Sequence, residues 1–196
     1  MTQALLTRSD LLSLEEYAEK RAAFKTQVLE HKKSRQLAIG ANAVLYFEDR
    51  LTIQYQIQEM LRIEKIFEAD GINEELGAYN PLIPTGSNWK ATFMLEYTDP
   101  EVRAKALAKL VGIEDTVWLR IEGHDKVFAI ANEDMERSTD EKTSAVHFMR
   151  FELTDAMKND ALAGKNIFAG IDHLAYQQET AEVNAATRQS LIADLK

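Results

Sequence analysis

The chain of 196 residues contains no cysteine, and this one absence excludes a large block of chemistry. Disulfides, thiolate zinc sites, iron–sulfur clusters and cysteine nucleophiles all require a thiol. Any metal would have to be held by His, Asp or Glu. Proline and glycine are scarce, at three and eight residues, and no linker, repeat or low-complexity segment divides the sequence. No apolar run approaches the roughly 18 residues that would span a bilayer. The first ten residues lack the basic start and apolar run of a secretory signal. The expectation is a cytosolic protein without membrane contact. Positive charge is also short: 23 Lys and Arg stand against 32 Asp and Glu, a net charge of -9. A general nucleic-acid binder needs a basic face to displace counterions, so that class is excluded. The Gly-x-Gly-x-x-Gly, Gly-x-x-x-x-Gly-Lys, His-Glu-x-x-His and Gly-x-Ser-x-Gly motifs do not occur. Nucleotide binding, zinc proteolysis and hydrolase-fold esterase activity lose their usual sequence warrant. No Glu lies three residues before any His, so the di-iron bundle pattern is missing too.

What is present suits a globular fold. Hydrophobic residues make up 45%, and a chain of this length buries roughly 70% of its unfolded surface. One domain over residues 1–196 is expected, with an N-terminal helix at about 13–34 packing on an α+β core. Asp10 or Ser13 caps that helix, with Glu15 and Glu16 in its first turn. Strand character appears at Val44–Phe47. Asp49 or Thr52 opens a second helix running to about Ala69, where Asp70-Gly71 reads as a stop. A short helix at Ile72–Ala78 leads into an irregular, exposed connection through Pro81, Pro84 and Gly86. Trp89–Tyr97 is the clearest strand: Trp89, Ala91, Phe93, Leu95 and Tyr97 alternate with Lys90, Thr92, Met94 and Glu96. A period of two with one mostly polar face predicts an antiparallel sheet wet on one side. A helix from Pro100, a hairpin across 117–130, a strand at 143–153, a helix at 155–163 and a strand at 167–171 follow. Residues 175–195 read as a closing helix. Strands and helices do not alternate regularly, which predicts an α+β fold with a mainly antiparallel sheet against several helices.

The second helix carries the candidate chemistry. At 100° per residue, Ile53, Ile57, Met60, Leu61, Ile63 and Phe67 define one apolar face. Glu64 lies near the centre of that face, and an inward carboxylate needs a partner. The structural reading pairs it with Arg21, Arg150 or a backbone amide. The functional reading makes it an acid, a base or a metal ligand. Glu59 and Arg62 point away from that face, with Gln58 beside them, and are the candidate binding residues. Of the histidines, His31 and His124 read as surface residues. His147 shares an inward strand face with Met149 and Phe151, and His173 stands with Asp172 at a strand end, where clefts open. Glu64, His147 and His173 are thus the candidate metal ligands.

Several segments together resemble a known family. They are Phe47-Glu48-Asp49-Arg50, the stretch Gln56–Arg62, and Tyr79-Asn80-Pro81-Leu82-Ile83-Pro84, followed by Thr143–Phe148 and Asp172-His173-Leu174-Ala175-Tyr176. From about Arg35 to its end the chain resembles the bacterial domain-of-unknown-function family 3501. That family has Pro after the His, where this chain has Leu174. Its genes often lie near those for rubrerythrin and an iron–sulfur oxidoreductase, so the resemblance implies a role beside a peroxide-handling redox chain. The leading expectation is an accessory or docking protein of a redox or oxidative-stress system, acting on a metalloprotein partner. The alternative is a small metal-dependent enzyme with a Glu/His site.

Overall fold

A computed structural model describes residues 4–180 and 182–196. The first long helix, α1 (Leu14–Lys32), starts at Ser13, whose side chain accepts from Glu16 N while Glu16 reaches back to the Ser13 amide. This capping box fixes the helix start at the predicted place. Two strands follow, β1 (Gln36–Ile39) and β2 (Ala43–Phe47), where only the end of β2 is expected from sequence. Gly40, at φ +75°, turns the chain between them, and a Cβ there would lie 2.7 Å from the Tyr176 hydroxyl. Asp49 caps α2 (Arg50–Glu64), which stops at a left-handed Lys65, well short of Ala69. Asp70-Gly71 is no stop: both residues lie in the first turn of α3 (Ala69–Tyr79). The connection that follows is less exposed than predicted, because Ile83, Pro84 and Gly86 are buried.

The remaining elements are β3 (Asn88–Leu95), α4 (Pro100–Lys109), β4 (Val117–Ile121), β5 (Val127–Phe128), β6 (Ile130–Ala131) and β7 (Val146–Glu152). After these come α5 (Asp155–Leu162), β8 (Ile167–His173), β9 (Tyr176–Glu179) and α6 (Ala185–Ala193). The predicted closing helix is therefore half wrong. Tyr176–Glu179 pairs with β8 through a two-residue turn at Leu174-Ala175, and only the second half is helical.

All strand pairs are antiparallel. They form a five-stranded sheet, β1-β2-β3-β7-β6, and a four-stranded sheet, β5-β4-β8-β9. The inner faces of both sheets share one apolar core. Trp89, Ala91, Phe93 and Leu95 all enter it, as the alternation of β3 predicts. The sheets meet at two edges. β5 and β6 are one extended stretch that pairs first with β4 and then with β7. Opposite, the Tyr176 hydroxyl donates to Ile39 O and accepts from Asn42 N, tying β9 to β1. Gly170 permits close packing within the smaller sheet, since a Cβ there would lie 2.2 Å from the Trp118 ring. α6 closes one end of the core. The Trp89 indole donates to Leu191 O, and the buried Arg35 bridges Asp194 to the carbonyls of Phe47 and Glu48.

A second apolar cluster, built on Leu6, Ile53, Ile57, Leu61, Leu76 and Ile83, belongs to the helical layer. Thr52 of α2 and Thr92 of β3 both donate to the Glu48 carboxylate, at 2.5 and 2.7 Å. This layer stands over the outer face of the five-stranded sheet. The face is consequently not open to water as predicted: Lys90, Thr92 and Met94 are half-buried.

Candidate functional site

Glu64 is exposed at the last turn of α2, contrary to the expected inward phase. Ile63 and Phe67 are 60% and 72% exposed, and the buried stripe is Ile53, Ile57 and Leu61. The face is set by Thr52 and Gln58 going in with that stripe. Gln58 is buried because its amide hydrogen-bonds both backbone groups of Leu12, at 2.6 and 3.3 Å. Gln54 donates to Asp10 O, and Asn80 bonds both backbone groups of Leu6. Three side-chain amides thus act as a surrogate strand for the N-terminal segment, which seals the polar side of the helix.

Glu59 and Arg62 spend their charges on a clamp between α1 and α2. Glu59 accepts from the Tyr17 hydroxyl at 2.7 Å, from Arg21 Nε and Nη2 at 2.7 and 2.8 Å, and from Arg62 at 3.1 and 3.3 Å. The Arg21 hydrogen bonds hold its carboxyl well below the usual carboxylate range against an opposing cost of burial, and Arg62 and Tyr17 reinforce them. Burial and the Glu59 charge push the Tyr17 phenol up.

The three candidate metal ligands do not come together. His173 is half-buried; its Nδ1 accepts from Ala175 N–H at 3.2 Å and its Nε2 donates to Val111 O at 3.1 Å. It locks the β8–β9 turn, whose first residue, Leu174, is fully exposed. Among the described residues no three His, Asp or Glu side chains are grouped so as to hold a metal ion. His31 and His124, read as plain surface residues, each have a carboxylate partner, Asp49 at 2.5 Å and Asp160 at 2.7 Å.

His147 does point inward and is fully buried opposite Phe93. Its Nε2 lies 3.0 Å from Ser144 O and 2.9 Å from Thr143 Oγ1, and its Nδ1 lies 3.0 Å from Asn132 Nδ2. A carbonyl only accepts, so Nε2 carries the proton, and Nδ1 accepts from Asn132 Nδ2, the nearer of the two amide atoms, with Oδ1 at 3.3 Å. The imidazole is neutral, in keeping with a pKa lowered chiefly by burial and only partly restored by Glu114. Thr143 in turn donates to Glu114 Oε2 at 3.1 Å, and Ser138 donates to Glu114 Oε1. The Ser138 hydroxyl is directed at the carboxylate and not at the imidazole, so no nucleophile–base relay is built. The network instead pins residues 132–144 to the core at Asn132, Ser138 and Thr143. Of its members, Thr143, Ser144 and His147 share a sequence motif. Glu114 and Asn132 arrive from separate segments and left no local signal.

The pinned segment forms one wall of a cleft on the outer face of the five-stranded sheet. Phe148 of β7 provides the floor, Met60 of α2 and Tyr79 of α3 the helical side, and Met135 the pinned wall, around about 500 Å³. A second hollow of about 350 Å³, reaching Gln56, Thr92 and Met94, adjoins it at Tyr79, Leu82 and Phe148. The floor is apolar and the rim is charged. Arg150 holds Glu133 by two bonds of 2.9 and 2.8 Å and Glu152 by one of 2.7 Å. Arg137 pairs with Asp134, and its guanidinium lies 4.5 Å from the Phe148 ring centroid.

Comparison with known proteins sets this geometry in a family. No curated protein matches the chain. A crystal structure of a protein from Burkholderia pseudomallei K96243, described as a novel protein of unknown function, is 52% identical. The match covers 98% of this chain and 100% of that one, with a TM-score of 0.94. The family described as proteins of unknown function, DUF3501, matches residues 5–195, and the chain belongs to it.

Proposed function

We propose that the protein is a binding protein of accessory type and that its recognition site is the cleft between the helical layer and the outer face of the five-stranded sheet. The observation that carries this reading is the cleft itself: about 500 Å³, within the range of small-molecule sites, with an apolar floor and a few polar groups at its edge. Methionines in its walls suit adaptable apolar contact. In the redox setting that the family resemblance implies, the protein serves beside a metalloprotein partner. What it contributes there is the small molecule that the cleft accommodates.

A neutral apolar dye, N-phenyl-1-naphthylamine, tests the site. Saturable one-to-one fluorescence enhancement is expected with the folded protein. Gly77 lines the cleft, and a Cβ at that position meets nothing within 4 Å. Gly77→Phe should therefore fill the space without straining the helix and weaken dye binding by about tenfold or more, with no loss of melting temperature. Enhancement that appears only on thermal unfolding, or that is indifferent to Gly77→Phe, overturns the reading.

A further inference from the structure

Three cations line the cleft, and two of them are spent: Arg150 on Glu133 and Glu152, Arg137 on Asp134. The third, Lys90, projects from β3 and donates one hydrogen bond, to the carbonyl of Pro81. Among the described residues no carboxylate lies within ion-pair distance of it. An ammonium has three donors, so two remain. Apolar surface lies beside it, in Leu82, Phe148 and Met60. We propose that the cleft takes an amphipathic carboxylate, its anionic group held by Lys90 and its apolar body laid over Phe148 towards Met60 and Tyr79. This rests on the reading of the cleft as the recognition site and specifies its ligand class.

The polarity of the cleft supports the assignment. Burial first and the neighbouring Arg150 next lower the pKa of Lys90 from its ordinary value, and the charges of Glu133 and Glu152, both held by Arg150, only partly offset them. An arriving anion relieves both penalties at once. The acidic side of the cleft is poorly made for a cation. Glu75 has its pKa raised by burial first and then by Glu64 and Glu74. Glu133 and Asp134 are already matched by arginines. Charge-assisted bonds to a carboxylate at a partly dry site are stronger than those between neutral groups.

Three ligands of one chain length separate the possibilities: decanoate, decanol and decylamine, each titrated against bound N-phenyl-1-naphthylamine at pH 7. Decanoate should displace the dye at about tenfold lower concentration than decanol. Raising the salt from about 20 to about 500 mM should weaken decanoate and leave decanol unchanged. Lys90→Met should bring decanoate to the level of decanol, and Lys90→Arg should keep the preference. The salt series needs no variant and tests the anion preference even if Lys90→Met does not fold, while Lys90→Arg tests the position of the charge. Equal displacement by decanoate and decanol overturns the anion assignment while dye binding keeps the cleft. Stronger displacement by decylamine overturns it as well, in favour of Glu75. Failure of the dye itself to bind removes the cleft and the ligand class together.

Discussion

At position 147 an imidazole sits in an apolar core, and its neighbours decide which nitrogen is protonated. Ser144 O accepts a hydrogen bond from Nε2–H, Asn132 Nδ2 donates one to Nδ1, and burial opposes a charge on the ring. The folded protein therefore binds a proton at His147 less readily than the unfolded chain does, whose value is near 6.5. Stability from this residue is complete above that pH and is lost as pH falls below it. His147→Gln should cost about 2–3 kcal/mol at pH 7, since a buried hydrogen-bonded group is replaced by one that cannot reach all its partners. The gap between wild type and variant, measured by urea denaturation, should narrow towards about pH 5.5. A gap that stays constant over that range would mean that His147 is not the group that titrates.

Helices α1 and α2 are joined by one carboxylate with three partners. Tyr17, Arg21 and Arg62 all donate to Glu59, whose side chain is 14% exposed. Its pKa lies far below the ordinary 4.5, through the Arg21 hydrogen bonds first. The clamp is therefore fully formed above about pH 4.5 and weakens as pH falls from there towards the depressed value. Glu59→Gln should cost about 1–2 kcal/mol at neutral pH, discounted because both arginines are about a third exposed. The cost should shrink below pH 4.5. A loss under about 0.5 kcal/mol in chemical denaturation would place the clamp among ordinary surface pairs.

For the whole molecule, charge and architecture point the same way. Net charge is -9, and the arginines and the lysine around the cleft stand among Glu75, Glu133 and Asp134. The cleft therefore offers no basic face of the kind that tracks a phosphate backbone. Random-sequence DNA or RNA oligonucleotides should show no binding at about 150 mM salt in fluorescence anisotropy; micromolar affinity there would contradict the charge argument. No helix among the described residues is long and apolar enough to cross a membrane.

Local signals carried much of this fold. Period-two alternation placed Trp89, Ala91, Phe93 and Leu95 inside, because side chains of a strand alternate faces whatever packs on them. Capping chemistry narrowed the starts of α1 and α2 to two candidates each, Asp10 or Ser13 and Asp49 or Thr52, and Ser13 and Asp49 are the residues that satisfy amides within three residues. The same alternation turned His147 inward. The phase of α2 was beyond local reading. A helix with apolar residues on more than one side takes its orientation from what covers it, and here that is the N-terminal segment bonded to Gln54, Gln58 and Asn80. Glu59 instead of Glu64 became the shielded carboxylate because Arg21 and Tyr17 approach from another helix. β1 and β9 escaped notice because strands of four residues gain their stability from partners distant in sequence. The cleft, too, is a product of tertiary structure alone. Its floor comes from β7, its walls from α2, α3 and residues 132–144, and that last wall is held by Glu114, a residue from yet another segment. Local chemistry determined which residues are apolar, which are charged and which amides the caps of α1 and α2 satisfy; only the packing of one layer on another decided which of them face the same space.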